Sequence, residues 1–280
     1  MYPMSTANSI TQNLTADLKL PAFPSVALHV VDLISVSQPD ISKLSRVINT
    51  DATLSAALLR AANSALFAHR SPVASMDRAI QLLGIDRTTL LVQTHAAWRV
   101  SPRDLPHAIA HTWWRHNLST ALFSQHQGRN TPANHDSYLC GLLHSIGQIA
   151  LYKLFPVQYL ALLVSPQTQD HGLIHSERRV FNTDHCELGA ELLSKWNLPD
   201  HLIDAAEHHH CPDQAQAAST LHIHSSCCLS NTIGCTVFPH QPDSTETLST
   251  AAQTLLTDAE LCTTIALTVK SLESQLFSRN

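Results

Sequence analysis

Apolar residues in this chain recur at three- and four-residue spacing almost from end to end, and no useful run alternates apolar with polar. Such spacing gathers side chains on one face of a helix, whereas a half-buried strand needs a period of two. Val26, Val30 and Ile34 form one stripe, broadened by Ala27 and Val31; Leu54, Leu58, Ala61, Ala62 and Ala65 form another. Only 7 of the 280 residues are Gly, while the strong helix formers Ala and Leu are abundant. The fold expected is all-α, a two-lobed helical bundle.

The pattern predicts helices over residues 23–36, 41–49 and 76–83, with Asp40, Asp51 and Ser75 as caps and Gly84 as a stop. Asp86 is expected to start a helix over 87–99, and further helices are expected over 107–127, 138–154, 157–164 and 171–181. Asp184 and Glu187 stand in capping-box relation before a helix ending near Trp196, and Pro199 opens one reaching His208. Later helices are expected over 217–233 and 248–256. Pro102 and Pro106 mark the best boundary. The expected layout is a tail over 1–17, a helical lobe over 18–105, a second over 106–235 and a helical extension over 236–280.

Composition removes several function classes. The 17 Lys and Arg form no basic stripe and the formal charge is −5, so no nucleic-acid partner is expected. No apolar run approaches the ~20 residues of a membrane span, and residues 1–13 lack the plan of a signal peptide. No membrane association is expected, and the location expected is cytoplasmic. The 7 Cys form no CxxC pair and read as buried thiols. Gly141 to Gly147 is the nearest approach to a phosphate-cradling Walker loop, but it is one residue too long and leads into Gln148. Gly-x-Gly-x-x-Gly and Gly-x-Ser-x-Gly are both absent.

Polarity comes instead from 19 His, concentrated beyond residue 100. His107/His111 and His171/His175 are i, i+4 pairs able to chelate, though two imidazoles without a third ligand are common surface features. In the run His208-His209-His210 alternate members point apart, so at most one or two share a site.

The segment Cys140-Gly141-Leu142-Leu143-His144-Ser145-Ile146-Gly147-Gln148 resembles the signature of the HD superfamily of metal phosphohydrolases, Leu-His-Asp-Ile-Gly-Lys. Trp114-Arg115-His116-Asn117 is similar to the context of that family's first His. His185, within Asp184 to Ala190, and His208, after Ile203 to Glu207, resemble the His ligands of two-metal members. The family's late Asp falls on Cys227. The departures matter more: Ser145 stands for the Asp of the His-Asp pair, Cys227 for the late Asp, and Gln148 for the Lys. A hard, water-activating metal wants carboxylate oxygen, and two are replaced. No metal or other cofactor is therefore expected. If one is held, the resemblance implies His116, His144, His185 and His208, with Cys227 as a fifth candidate and a soft ion as the occupant.

Residues 20–27, 51–65 and 72–84 resemble the HDOD module, the HD-related output domain, over roughly 18–235, with Asn63-Ser64 and Leu83-Gly84 as motif pairs. That family is bacterial, all-helical and implicated in signalling, with a second lobe like the HD domain. Gly-Tyr-Pro, the mark of the related cyclic-dinucleotide phosphodiesterases, is absent: Cys211-Pro212 follows His210. The function expected is a non-catalytic regulatory module acting through contacts with signalling proteins. Trp98, Trp113 and Trp114 are candidate anchors, and a small ligand in a groove between the lobes is a further candidate partner. The alternative is a metal-dependent phosphohydrolase or phosphodiesterase with an altered ligand set.

Overall fold

Asp40, Asp51, Ser75 and Asp184 each stand one residue before a helix and accept hydrogen bonds from the open amides of its first turn. Asp184 binds the amides of Cys186 and Glu187 at 2.8 and 2.9 Å. The computed structural model describes residues 14–15, 18–36, 38–64, 72–128, 134–165, 172–216, 223, 226–227 and 258–277. Among them helices account for the regular structure and no strand occurs, so the protein is all-α.

The chain divides into two compact units. Residues 21–101 with 275–280 form one, and residues 102–274 with 1–20 form the other. The first holds α1 (Ser25–Ile34), α2 (Ile41–Ile48), α3 (Ala52–Ala62), α4 (Met76–Leu83) and α5 (Ile85–Val100). Ala27, Val30, Ile48, Leu58, Ala62, Ile80 and Val92 are its fully buried core, and the stripes legible in the sequence supply most of them. Asp86 does not start α5. Gly84 closes α4 at φ 79°, ψ 163°, and its own carbonyl accepts the Thr88 amide, so the helix begins at Ile85. Asp86 sits in the first turn, where its charge suits the helix dipole.

The second unit holds α6 (His107–Gly128), α7 (Asn134–Leu143), α8 (Ile146–Leu154), α9 (Pro156–Leu163), α10 (Leu173–Phe181), α11 (His185–Lys195), α12 (Asp200–His208) and, up to residue 274, α13 (Ala259–Phe277). The helix expected unbroken over 138–154 is two helices with a turn at His144-Ser145. There the His144 ring takes the Gly141 carbonyl at 2.8 Å and the Ser145 hydroxyl donates to Asn117 Oδ1 at 2.7 Å. Side chains thus compete with the helical ladder at this point. Of the helix expected over 217–233, Ile223, Ser226 and Cys227 are described and helical. The one expected over 248–256 lies outside the described residues.

Two backbone contacts set the geometry of this unit. A Cβ on Gly141 would lie 2.6 Å from Ala121 Cα, so α7 rests directly on α6. A Cβ on Gly147 would lie 1.8 Å from the His185 carbonyl oxygen and 2.7 Å from the Gly189 nitrogen, so α8 rests directly on the start of α11. A Cβ on Gly189 meets nothing closer than 3.3 Å. Gly147→Ala is therefore expected to destabilise the protein by roughly 2 kcal/mol or more, since overpacking against backbone cannot relax by a rotamer change. Gly189→Ala is expected to be near neutral, because the helix propensity gained offsets a mild contact. Denaturant melts of the two variants, side by side, check this.

Candidate functional site

His116 lies on α6, His144 at the turn after α7, and Cys227 on a helical stretch 111 residues beyond His116. The structure brings the three together: His116 Nε2 to His144 Nε2 is 3.1 Å, and the Cys227 sulfur is 3.4 and 3.8 Å from those nitrogens. All three side chains are buried, at 6, 1 and 4% exposure. The Gly141 carbonyl can accept only a proton from His144 Nδ1, so His144 Nε2 presents its lone pair to the group. Burial pushes His144 down to about 4, against the Gly141 hydrogen bond and with some help from His185. It is a neutral imidazole at physiological pH.

A second group adjoins the first. The ring centroids of His144 and His209 are 4.8 Å apart, and His209 Nε2 lies 3.3 Å from His185 Nε2. His185, Cys186, His209 and His210 place donor atoms within 4.8 Å of one another. His185 is fixed by Glu177, whose Oε2 accepts both its backbone N–H and its Nδ1–H at 2.9 and 2.7 Å, while Oε1 accepts the Tyr159 hydroxyl at 2.8 Å. Burial opposes the charge on His185, but the Glu177 carboxylate, its hydrogen bond and Asp184 outweigh it and raise the pKa. His209 Nδ1 donates to the Ala206 carbonyl, so a proton on His185 Nε2 meets the His209 lone pair. Burial, then Asp184 and Glu177, push the Cys186 thiol far up, so it stays protonated.

His208 does not join this cluster. Its Nδ1 lies 3.2 Å from Asp204 Oδ1, and His209 takes the inward place. Leu202, Ala205 and Ala206 form the buried face of α12. Continuing that stripe by three or four residues reaches 209, a signal present in the sequence. Glu177 carries a similar signal, since it continues the buried Leu173 and Ile174 at helical spacing. Ser145 pairs with buried Asn117, the neighbour of His116, in a neutral hydrogen bond where the HD signature has a carboxylate. The buried carboxylates of the region are committed elsewhere: Glu177 as above, and Asp184 to the α11 cap and to Arg178 at 2.6 Å.

These donors fit some metals and not others. Neither donor group contains a carboxylate among the described residues. Magnesium, calcium or manganese would meet nitrogen and sulfur instead of oxygen; zinc or ferrous ion would meet the donors they prefer.

The profile of the HDOD domain matches residues 20–212. The chain belongs to the HDOD family. An HDOD domain protein of unknown function from Geobacter sulfurreducens shares the fold at a TM-score of 0.75 and 21% identity, over 98% of this chain and 99% of that one. A candidate signal-transduction protein from Marinobacter aquaeolei VT8 follows at 0.70 and 18%, over 98% of this chain and 65% of that one. A candidate phosphohydrolase from Shewanella amazonensis SB2B stands at 0.63 and 19%, over 96% and 95%. An uncharacterized protein of Treponema pallidum (strain Nichols) is 27% identical over 197 residues, 68% of this chain. The chain spans 37% of the length of that curated relative.

The HDOD motif pairs in the first unit have structural work. Asn63 Oδ1 accepts the Val73 amide at 2.7 Å, and its Nδ2 donates to the Val73 and Leu59 carbonyls at 2.9 and 2.8 Å. The Ser64 amide donates to the Ala61 carbonyl, closing α3, and Gly84 divides α4 from α5. Of the other candidates, Trp113 and Trp114 are buried and pack edge to face at 5.1 Å, and Trp98 is half-buried. His107 Nε2 and His111 Nε2 lie 3.1 Å apart, with His111 Nδ1 at 3.2 Å from Glu273 of α13. His175 is exposed, and His171 lies outside the described residues.

His144 gives the HDOD domain an acid sensitivity whose sign follows from its shift. The unfolded ring takes a proton below 6.5 and the folded ring only near 4, so the unfolded state binds more protons between those values. Stability falls as pH drops through that window, and His144→Gln removes this component. His185, raised, works the opposite way in both proteins. Wild type is expected to lose about 3 kcal/mol more than the variant between pH 6.5 and 4, from ~1.4 kcal/mol per pH unit. Denaturant titrations across that range, with a chelator present, measure the difference.

Proposed function

We propose that this HDOD chain is a non-catalytic regulatory module of bacterial signal transduction, working in the cytoplasm through contacts with signalling proteins. The observation that carries the reading is the Ser145–Asn117 hydrogen bond. It fills the place of a metal-binding carboxylate with a neutral pair at 2.7 Å. A hydroxyl neither balances a divalent charge nor lowers the pKa of a bridged water as a carboxylate-held metal pair does. Cys227 removes the second carboxylate, and Glu177 and Asp184 are committed to His185 and to the α11 cap. The Marinobacter neighbour, described as a signal-transduction protein, is consistent with this reading.

A second reading, a metal-dependent phosphohydrolase with an altered ligand set, draws on the clustering of His116, His144, His185 and His209. Assays separate the two. The purified protein is expected to release no product from cyclic dinucleotides, nucleoside phosphates or aryl phosphates with any of magnesium, manganese, zinc or iron. Turnover that disappears in His144→Ala establishes the enzyme; turnover equal in both is contamination. Ser145→Asp with Cys227→Asp is the minimum change expected to restore a hard-metal site.

A further inference from the structure

We propose that His107 and His111 bind one divalent transition ion of the nickel, copper and zinc group through their Nε2 atoms, with Glu273 of α13 as the positioning residue. The site is separate from the HD-like histidines and does not rest on the non-catalytic reading. Spacing alone leaves an i, i+4 histidine pair as a common surface feature, and the structure supplies what spacing lacked. Glu273 lies beyond residues 20–212, the part of the chain that the HDOD profile matches, so the family resemblance assigns nothing to this contact.

The first observation is the bite of the pair. One helical turn sets His107 and His111 on the same face of α6, with their Nε2 atoms 3.1 Å apart and their ring centroids 4.3 Å apart. An ion with bonds of ~2.0–2.1 Å to nitrogen holds two imidazole nitrogens about 3.0 Å apart at a right angle and about 3.3 Å apart at the tetrahedral angle. The observed separation falls between these values. A hydrogen bond between the rings has a similar length, so the surroundings of the pair decide.

The second observation is how His111 is held. Its Nδ1 lies 3.2 Å from Glu273 Oε1, and a carboxylate there accepts the Nδ1 proton, which leaves the Nε2 lone pair facing His107. Glu273 is 5% exposed and is fixed in turn by Arg115, whose Nε donates to Oε1 and Oε2 at 2.8 and 3.0 Å. A buried carboxylate on the far nitrogen of an imidazole is the outer contact by which proteins orient a metal ligand and strengthen it as a donor.

The third observation is access. His107 is exposed and His111 half-buried, so an ion reaches both from solvent and keeps water at its remaining positions. Imidazole donors select nickel, copper or zinc over magnesium and calcium. The bound ion would tie the first turn of α6, through His111 and Glu273, to α13.

Untagged, full-length, chelator-stripped protein on a nickel–iminodiacetate resin tests the site, because the immobilised ion reaches histidines at the surface and not the buried ones at 144 and 185. Wild type is expected to be retained, and His107→Ala and His111→Ala each to elute at several-fold lower imidazole. His175→Ala, at an exposed histidine on α10, is expected to elute with wild type. In solution, calorimetry with nickel(II) alone is expected to show a binding event that both variants at 107 and 111 lose and that Cys227→Ser keeps. Glu273→Gln is expected to keep the event at about tenfold lower affinity. Retention and heat that survive either histidine substitution overturn the proposal, since one imidazole or none would then suffice. An event lost in Cys227→Ser assigns the ion to the buried cluster and overturns it too, and unchanged affinity in Glu273→Gln removes the positioning role.

Discussion

The histidine cluster depends on two places where helix backbones touch with no side chain between them. Gly147 leaves no room for a Cβ beneath the His185 carbonyl, and Gly141 leaves none beneath Ala121. The first contact seats the start of α11, which carries His185. The second seats α7 on α6 and so sets His144 against His116. Two residues with no side chain thereby position at least three imidazoles. The same pair of glycines looks, in the sequence, like a failed phosphate loop; their spacing serves helix crossing.

Most of the helices were legible because burial follows the 3.6-residue period, and the caps because Asp and Ser stand one residue ahead of them. Leu54, Leu58, Ala61 and Ala62 could be placed inside from spacing alone. What spacing did not show were the points where a side chain overrules the backbone. The turn at His144-Ser145 interrupts a run of apolar residues without Gly-Pro punctuation, because the competing hydrogen bonds come from His144 itself and from Asn117, distant in sequence. The motif resemblance located His116, His144, His185 and Cys227. It selected His208 where the helical stripe from Leu202 and Ala206 points to His209. Glu177 went unread because an acidic residue continuing an apolar stripe is usually counted as surface, and its partners Tyr159 and His185 lie on other helices.

The two imidazole contacts illustrate how one residue type is pushed in opposite directions within a few ångströms. His185 stands between burial, which opposes charge, and Glu177, which supports it, and the carboxylate wins. His144 has a carbonyl in place of the carboxylate, and burial wins. A carbonyl dipole orients a ring; a full negative charge also decides its proton. The arrangement favours the charged form of the ring at the His185 end of the cluster and disfavours it at the His144 end.

Gly84 and Gly147 are irreplaceable for unrelated reasons. Around Gly84 nothing lies within 4 Å of a would-be Cβ, yet its φ of 79° and ψ of 163° exclude ordinary side chains. The mirror image of that conformation is plain extended backbone, so the obstacle is handedness. A D-alanine installed there by chemical ligation would sit at ease where L-alanine strains. At Gly147 the obstacle is volume, and the crowding hydrogen-bonded backbone of α11 is what any added methyl at the L position must displace. One glycine answers to the chirality of amino acids and the other to the thickness of two helices.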